Sequence, residues 1–378
     1  MAKVIDYDAL VIGGGIAGCS VAYFLAPHAK VRVLEREDFP GMHSTGRSAA
    51  LFNETYGPPQ VLALTRASRA FFERPPVGFT DAPILTPRGS LTIGSAEQAS
   101  LVNAEFELVR PFLAQARLLD SGQISAMVPV LRAEAAHVAL FDPGAADMDV
   151  NGLHQGFIRG LKAAGGELTT GDEILSIGKV QDCWHVQTRT TLLRAPLLIN
   201  AAGAWADEVA RMAGVAPIGL EPRRRSAFLF APPVGVDPHA WPFVCAADES
   251  FYFKPDAGML LGSSANADPA SPHDVQPEEL DIATGIYRIE EATTMQIHRP
   301  TRTWAGLRSF VADGNIVAGF APDAPGFFWI AALGGYGIQT CAAVGEACAS
   351  VALGREIPAQ LRDAGVGEAM LRGAMRGR

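Results

Sequence analysis

Hydrophobic positions along this 378-residue chain change period several times, and each change predicts an element. Ala9, Leu10, Val11 and Ile12 form an unbroken apolar run, the pattern of a strand buried on both faces. A glycine turn follows, Gly13-Gly14-Gly15-Ile16-Ala17-Gly18, then a helix over residues 19–26 and a second strand over residues 30–34 that ends on Glu35. The spacing is that of a whole βαβ unit. Gly13 makes the tight turn, Gly15 lets the backbone approach a pyrophosphate, and Gly18 allows close packing of helix on strand. The helix N-terminus would then face phosphates with free N–H groups and its positive dipole end. Glu35, at the end of the second strand, suits a ribose diol and would repel the 2′-phosphate of NADP.

Period 3.6 predicts a helix over residues 61–72, with Val61, Leu64, Ser68 and Phe71 or Phe72 on one side, stopping before Pro75-Pro76. A second is expected over residues 97–116, kinked or split at Pro111. The clearest amphipathic helix covers residues 151–164: Leu153, Phe157 and Leu161 recur at i, i+4 and i+8, with Gly165-Gly166 as the C-cap. Residues 84–93 read as extended segments around a turn at Pro87-Arg88-Gly89. Strand patterns then cover residues 173–177, 184–188 and 197–201, the last leading through Ala202, Gly203, Ala204 and Trp205 into a helix that ends near Gly214. Residues 226–231, 250–253, 259–263 and 308–311 alternate or run apolar between Pro and Gly breaks, as in an antiparallel sheet. A helix over residues 277–292 has Pro near its start and acids in its first turn. Residues 327–333 form a buried strand, Gly334, Gly335, Tyr336 and Gly337 a turn, and residues 338–352 a helix. Three strand–glycine–helix junctions are thus spread over the chain. The fold class expected is α/β (α+β): a Rossmann-like dinucleotide domain built from residues 1–85, 147–221 and 305–378, and a mostly antiparallel substrate domain from residues 86–146 and 222–304.

Composition narrows the class. Hydrophobic residues make up 48% of the chain and charged ones 19%, which describes a core-rich globular protein, and the length predicts two domains. A net charge of −9 disfavours nonspecific nucleic-acid binding and anionic membrane surfaces. The uncharged stretches at residues 10–26 and 326–345 hold glycine turns and read as buried strand–turn–helix segments rather than membrane spans, and no signal peptide is evident. A cytoplasmic location is expected. Cys19, Cys183, Cys245, Cys341 and Cys348 are odd in number and lack a CxxC pair, so neither a disulfide framework nor a structural zinc site is expected. Cys341 and Cys348 lie seven residues apart, on one face of the expected helix.

After Glu35 and Arg36 the chain runs Gly41-Met42-His43-Ser44-Thr45-Gly46-Arg47-Ser48-Ala49-Ala50. An extended backbone with hydroxyls and free N–H groups would suit the long polar edge of a cofactor. This segment, the glycine fingerprint, Asn200-Ala201-Ala202-Gly203-Ala204-Trp205, Gly306-Leu307-Arg308-Ser309-Phe310 and Gly334-Gly335-Tyr336-Gly337 resemble the D-amino-acid-oxidase-like FAD family, and within it the D-arginine dehydrogenase branch. The likeness runs from about residue 5 to about residue 370.

The resemblance implies a noncovalent FAD. Ile16, Ala17 and their glycines would meet the pyrophosphate. Glu35 and Arg36 would lie at the adenosine end, with Ile174 near the adenine. Ser44, Thr45, Gly46, Arg47, Ser48, Ala49, Ala50 and Leu51 would run along the ribityl chain and the isoalloxazine. Ala202, Gly203 and Trp205 would close over the dinucleotide. Gly334, Gly335, Tyr336, Gly337, Ile338 and Gln339 would close over the flavin, and the last helix would point its N-terminus at the N1/C2=O edge. The substrate implied is an α-amino acid. Arg308 would bind its carboxylate bidentately, with Arg225 and Tyr252 assisting; Tyr56 would wall the substrate and the Gly335 backbone would accept from the amine. Which of Arg223, Arg224 and Arg225 faces the substrate is open. His43 reads as a loop hydrogen-bonder.

Three positions depart from the D-arginine branch. Ser90 stands where that branch has a glutamate that meets the substrate guanidinium, Leu51 where it has a histidine, and Asn53 where it has a threonine. Loss of a buried acid should remove the preference for Arg and Lys. The expected activity is oxidative deamination of D-amino acids with neutral or apolar side chains. The alternatives are a secondary-amine or N-methyl amino acid oxidase of the sarcosine/glycine-oxidase type, or a dinucleotide-binding protein without turnover. The partners expected are a small amino acid and an electron acceptor, O2 or quinone-type, which no motif distinguishes.

Overall fold

The computed structural model describes residues 4–372. Its central sheet has six strands in the order Glu167–Thr169, Val31–Leu34, Ala9–Ile12, Leu197–Asn200, Phe327–Ala331 and Val317–Phe320. All neighbours pair in parallel except the last, which is antiparallel. The strands are apolar throughout because both faces are covered. On one face lie the helices Ile16–Leu25 and Gly337–Ala352, which also pack on each other; Ala9, Val11, Ile199 and Ile330 join them in one core. On the other lies a four-stranded sheet (Val4–Asp6, Leu192–Ala195, Cys183–Thr188, Ile174–Val180) whose Trp184, Val186 and Leu193 pack with Leu10, Leu198 and Trp329.

One consequence positions the site. Ala9–Ile12, Leu197–Asn200 and Phe327–Ala331 are adjacent and parallel, so their C-terminal ends lie side by side. The three glycine junctions, far apart in sequence, therefore meet at one edge of one sheet, where open α/β sheets bind their ligands.

A second sheet has nine strands and carries the long antiparallel pair Glu221–Phe230 and Arg302–Phe310. Beyond it follow Met259–Ser263, Tyr252–Asp256, Phe243–Ala246, Ser90–Gly94, Val138–Asp142 and Arg117–Asp120. It is antiparallel apart from Phe243–Ala246 beside Ser90–Gly94. Leu51–Phe52, Ala146–Met148 and Leu85–Pro87 form a small third sheet. Among the described residues no helix is long and apolar enough to cross a membrane.

The chain departs from its pattern in three ways. The helix expected over residues 97–116 is Ala99–Val109 and ends ahead of Pro111, whose ring and missing N–H forbid another turn. Residues 84–93 are extended around a turn at Gly89, φ +74°, as expected, but the two segments, Leu85–Pro87 and Ser90–Gly94, belong to different sheets. Several short elements carry no usable period, among them Phe243–Ala246, Val317–Phe320 and the helix Ser121–Met127, which Asp120 starts with a capping box.

Candidate active site

The turn after Ala9–Ile12 is held to tight tolerances. Gly13 sits at φ +105°, and a methyl group there would overlap the carbonyl oxygen of Ala201 on the neighbouring junction. A methyl group on Gly18 would overlap the Gly13 carbonyl, so the helix lies directly on the turn. A methyl group on Gly15 would meet only Thr45 Oγ1, at 3.3 Å, which leaves space above the loop. Gly14 N donates to Glu35 Oε2 at 2.8 Å and Glu37 N donates to Oε1 at 3.0 Å, fixing the Glu35 carboxylate beside the turn. From below, buried His154 donates from Nε2 to the Gly14 carbonyl at 2.9 Å. Burial pushes its pKa down, against that hydrogen bond, so the ring stays neutral with its proton on Nε2. Nothing in the sequence marked His154, which shares the buried face of Val150–Ala163 with Leu153, Phe157 and Leu161.

The segment after Glu35 is not the extended strap expected. Residues 40–47 form a succession of turns, with Gly46 N donating to Gly41 O at 2.8 Å. Thr45 Oγ1 accepts from Ile16 N at 3.0 Å, and Ser44 Oγ donates to Leu307 O at 2.6 Å, so both hydroxyls are engaged by protein. Arg47 turns its guanidinium to the carbonyls of Val275 and Ala305 and to Asp274, tying the loop to the second sheet instead of lining a cofactor with its charge. Only at Ser48, Ala49 and Ala50 does the chain open out.

Three cavities with shared walls follow one another along this edge. The first, about 260 Å³, lies between Gly13, Gly15, Glu35, Arg36, Ile174 and the junction Ala202, Gly203 and Trp205. Arg36 stacks over the Trp205 ring at 4.2 Å, and His43 packs on the same ring while its Nε2 meets Glu37 Oε1 at 2.9 Å. The second, about 140 Å³, shares Gly15, Ser44, Thr45 and Gly203 with the first and reaches Ile16, Ala17, Gly334, Gly335, Gly337 and Ile338. The helices Ile16–Leu25 and Gly337–Ala352 both begin at this trough, with no capping side chain and no acid in the first turn. Gln339 does not face it: its amide bridges Asn53 N at 3.2 Å and Thr65 Oγ1 at 3.0 Å inside the core.

The third cavity, about 430 Å³, shares Ser48, Ala49, Arg225, Tyr252 and Arg308 with the second. Leu51, Asn53, Tyr56 and Tyr336 are also in its walls. The strand register puts Arg225 opposite Gly306 and Arg223 opposite Arg308, so Arg225 and Arg308 share a face two residues apart. The three consecutive arginines separate cleanly. Arg223 pairs with Glu221 and lies over the Phe310 ring; Arg224 is bound by Asp268, Asp281 and Glu278. Arg225 makes no ion pair among the described residues, and its buried Nε has no hydrogen-bond partner. Burial and the facing Arg308 push its pKa below the usual arginine value. Arg308 Nη1 donates to Tyr56 Oη at 3.3 Å, and a methyl group on Gly335 would come within 2.8 Å of the same nitrogen.

Ser90 shares its strand face with Thr92, but it is buried and outside the cavity wall, where Thr92 stands. Two carboxylates line that wall instead: Glu105, from the helix Ala99–Val109, and Glu249, on the turn after Phe243–Ala246 at φ +55°. Of the two positions behind the expectation of a neutral substrate side chain, Leu51 stands in the cavity wall and Ser90 does not. Neither acid was legible beforehand, because Glu105 sits in a helix whose other polar positions face water. Among the described residues no cluster of His, Cys, Asp and Glu could hold a metal.

A parallel sheet with glycine junctions at its edge, opening through a trough into an arginine-lined cavity, defines a dinucleotide-dependent oxidoreductase. The chain belongs to the DAO family, the FAD dependent oxidoreductases, whose profile matches residues 8–351. It is 26% identical to FAD-dependent oxidoreductase domain-containing protein 1 of Bos taurus, over 92% of this chain and 81% of that protein. It is 25% identical to the glycine oxidase of Bacillus licheniformis, over 93% and 94%. The solved L-proline dehydrogenase of P. horikoshii superposes with a TM-score of 0.83 at 21% identity, covering 94% of this chain and 96% of that one.

The cofactor of the family is FAD, and the trough suits it: two helix N-termini for anionic groups, one with only its Ile16 N–H taken by Thr45, a glycine turn with room above it, and an immobilised carboxylate at one end.

Proposed function

We propose that this protein oxidises the Cα–N bond of a free α-amino acid, with D-amino acids as its substrates. The observation that carries the reading is the Arg225–Arg308 pair, two guanidinium groups side by side that form no ion pair with a carboxylate among the described residues, Glu249 acting on Arg225 only from a distance. Such a pair is costly unless an anion joins it, and a carboxylate is the anion whose geometry a guanidinium fork matches. The DAO relatives of known name that act on glycine and proline support an amino acid in this place.

In this reading Gly13, Gly15, Ile16, Ala17 and the N-terminus of Gly337–Ala352 hold the cofactor's anionic parts, and Glu35, Arg36, Ile174, Ala202, Gly203 and Trp205 hold its adenosine end. The central sheet then forms the cofactor half and the nine-stranded sheet the substrate half, with Arg302–Phe310 of that sheet running across the boundary expected at residue 305. Bound FAD supplies the acceptor for a hydride from the substrate Cα. The chain's own contribution is orientation. Arg308 and Arg225 grip the carboxylate, Tyr252 and Tyr56 wall it, and the Gly335 carbonyl accepts from the amine. Tyr336 cannot serve as a base near neutrality, because burial and the facing Tyr56 push its pKa far up. The amine must therefore reach the site neutral, and turnover should rise with pH through one ionisation.

The test is anaerobic mixing of the purified holoprotein with both enantiomers of a panel of primary amino acids and with N-methyl amino acids, following the flavin absorbance. Bleaching by D-amino acids alone supports the reading. Bleaching only by N-methyl or other secondary amines moves the protein to the sarcosine/glycine-oxidase type, and no bleaching at all overturns the amino-acid assignment.

A further inference from the structure

In the wall of the third cavity the helix Ala99–Val109 presents a carboxylate that the reaction above does not use. Glu105 Oε1 accepts from Thr92 Oγ1 at 3.3 Å, and Thr55 and Cys245 stand beside it in the same wall. No cation pairs with it among the described residues. The groups around it are hydroxyls and a thiol, with Glu249 contributing a second negative charge from the turn beyond Phe243–Ala246. A largely buried carboxyl held by hydroxyl groups and paired with no cation has no countercharge for its ionised form.

We infer that Glu105 is a specificity-determining residue of this site: it receives the far end of the substrate side chain and selects one that ends in a nitrogen bearing N–H donors over one that ends in hydrocarbon. The pocket is bipolar. The arginine pair takes the α-carboxylate, and Glu105 in the same cavity takes a positive charge, so a diamino monocarboxylic acid meets complementary charge for both its groups. The inference rests on the amino-acid reading above and adds the side-chain class. The place of the acid, on the helix Ala99–Val109 instead of at Ser90, is a feature of this chain.

Burial pushes the Glu105 carboxyl up to about 7, against the lowering effect of the Thr55 and Thr92 hydrogen bonds and with some help from Glu249. The charge that attracts a cationic side chain thus develops across the neutral range. Preference for the cationic substrate should rise with pH through that range and level off above it. The ionisation of the α-amine is common to all substrates and cancels in a ratio.

The experiment uses ornithine and norleucine, which differ in one terminal ammonium for one methyl, each as the enantiomer the enzyme turns over. kcat/KM for both is measured from pH 6 to pH 9 for the wild-type holoenzyme and for Glu105→Gln and Glu105→Asp, with flavin content checked by absorbance. The wild-type ratio should favour ornithine and rise with pH. In Glu105→Gln it should fall about tenfold, the value of one charged hydrogen bond, and lose its pH dependence while the rate on norleucine is kept. Glu105→Asp should restore part of the ratio and its pH profile. A ratio that Glu105→Gln leaves unchanged, or that favours norleucine in the wild type, overturns the inference while leaving the amino-acid reading intact. Failure of every amino acid to reduce the flavin overturns both.

Discussion

At the scale of single residues, what distinguishes Arg225 and Arg308 from the other arginines is the partner each lacks. Arg223 and Arg224 are satisfied by acids on their own surface, whereas Arg225 leaves a buried Nε unbonded. The proposed clamp also depends on a residue with no side chain. Gly335 lies against the Arg308 guanidinium, and a methyl group would approach Nη1 to 2.8 Å and Cζ to 3.0 Å. Gly335→Ala is expected to push the guanidinium off its place and raise KM for the amino acid about tenfold or more, with bound flavin unchanged. Steady-state kinetics together with the flavin spectrum check this; an unaltered KM would detach Arg308 from substrate binding. The sequence reading reached Arg308, Tyr252, Tyr56 and Gly335 through their motifs, but it could not choose among three adjacent arginines. Alternation puts Arg224 on the opposite face, and only the cross-strand partners separate Arg223 from Arg225.

At the scale of elements, the glycine turn and its helix behave as one piece. Gly18 touches the Gly13 carbonyl so closely that no side chain fits, and Gly13 in turn abuts Ala201. Gly18→Ala is expected to force helix Ile16–Leu25 off the turn, costing on the order of 3 kcal/mol of stability and most of the bound flavin. Denaturant unfolding and flavin content measure the two effects; a wild-type midpoint with full flavin would contradict the packing argument. The helix and strand periods foresaw this unit, as they foresaw Pro59–Glu73, Val150–Ala163 and Glu279–Ala292. They failed over residues 40–47, where small polar residues suit either an extended strap or a chain of turns. The turns won because Thr45 and Ser44 found partners at Ile16 and Leu307. The resemblance, not the period, gave Gln339 and Arg47 to the cofactor, and in the structure their polar groups bond to distant protein atoms.

At the scale of the molecule, the trough is walled by both large sheets, and Arg47 in its wall bonds to the carbonyls of Val275 and Ala305. A ligand that fills the trough should therefore stabilise the whole chain. FAD added to apoprotein at a hundredfold excess over its Kd is expected to add about 2.7 kcal/mol to the unfolding free energy. The thermal midpoint should rise with FAD concentration, and NAD at the same concentration should have no effect. A midpoint that ignores FAD would refute this account of the trough.

The sequence by itself determined the local units and their chemistry. Periods and glycine spacing are short-range properties, and they sufficed for the βαβ turn with its Glu35, the three glycine junctions and the FAD class. Tertiary structure decided which distant pieces meet. Adjacent parallel strands brought the three junctions to one edge, and cross-strand register left Arg225 without a partner. The packing of Ala99–Val109 over Ser90–Gly94 and Val138–Asp142 put Glu105 into the pocket that Ser90 was expected to shape. These outcomes depend on contacts between segments that the chain brings together from different elements, up to more than three hundred residues apart for the junctions at Gly13 and Gly334, and no local pattern carries that information.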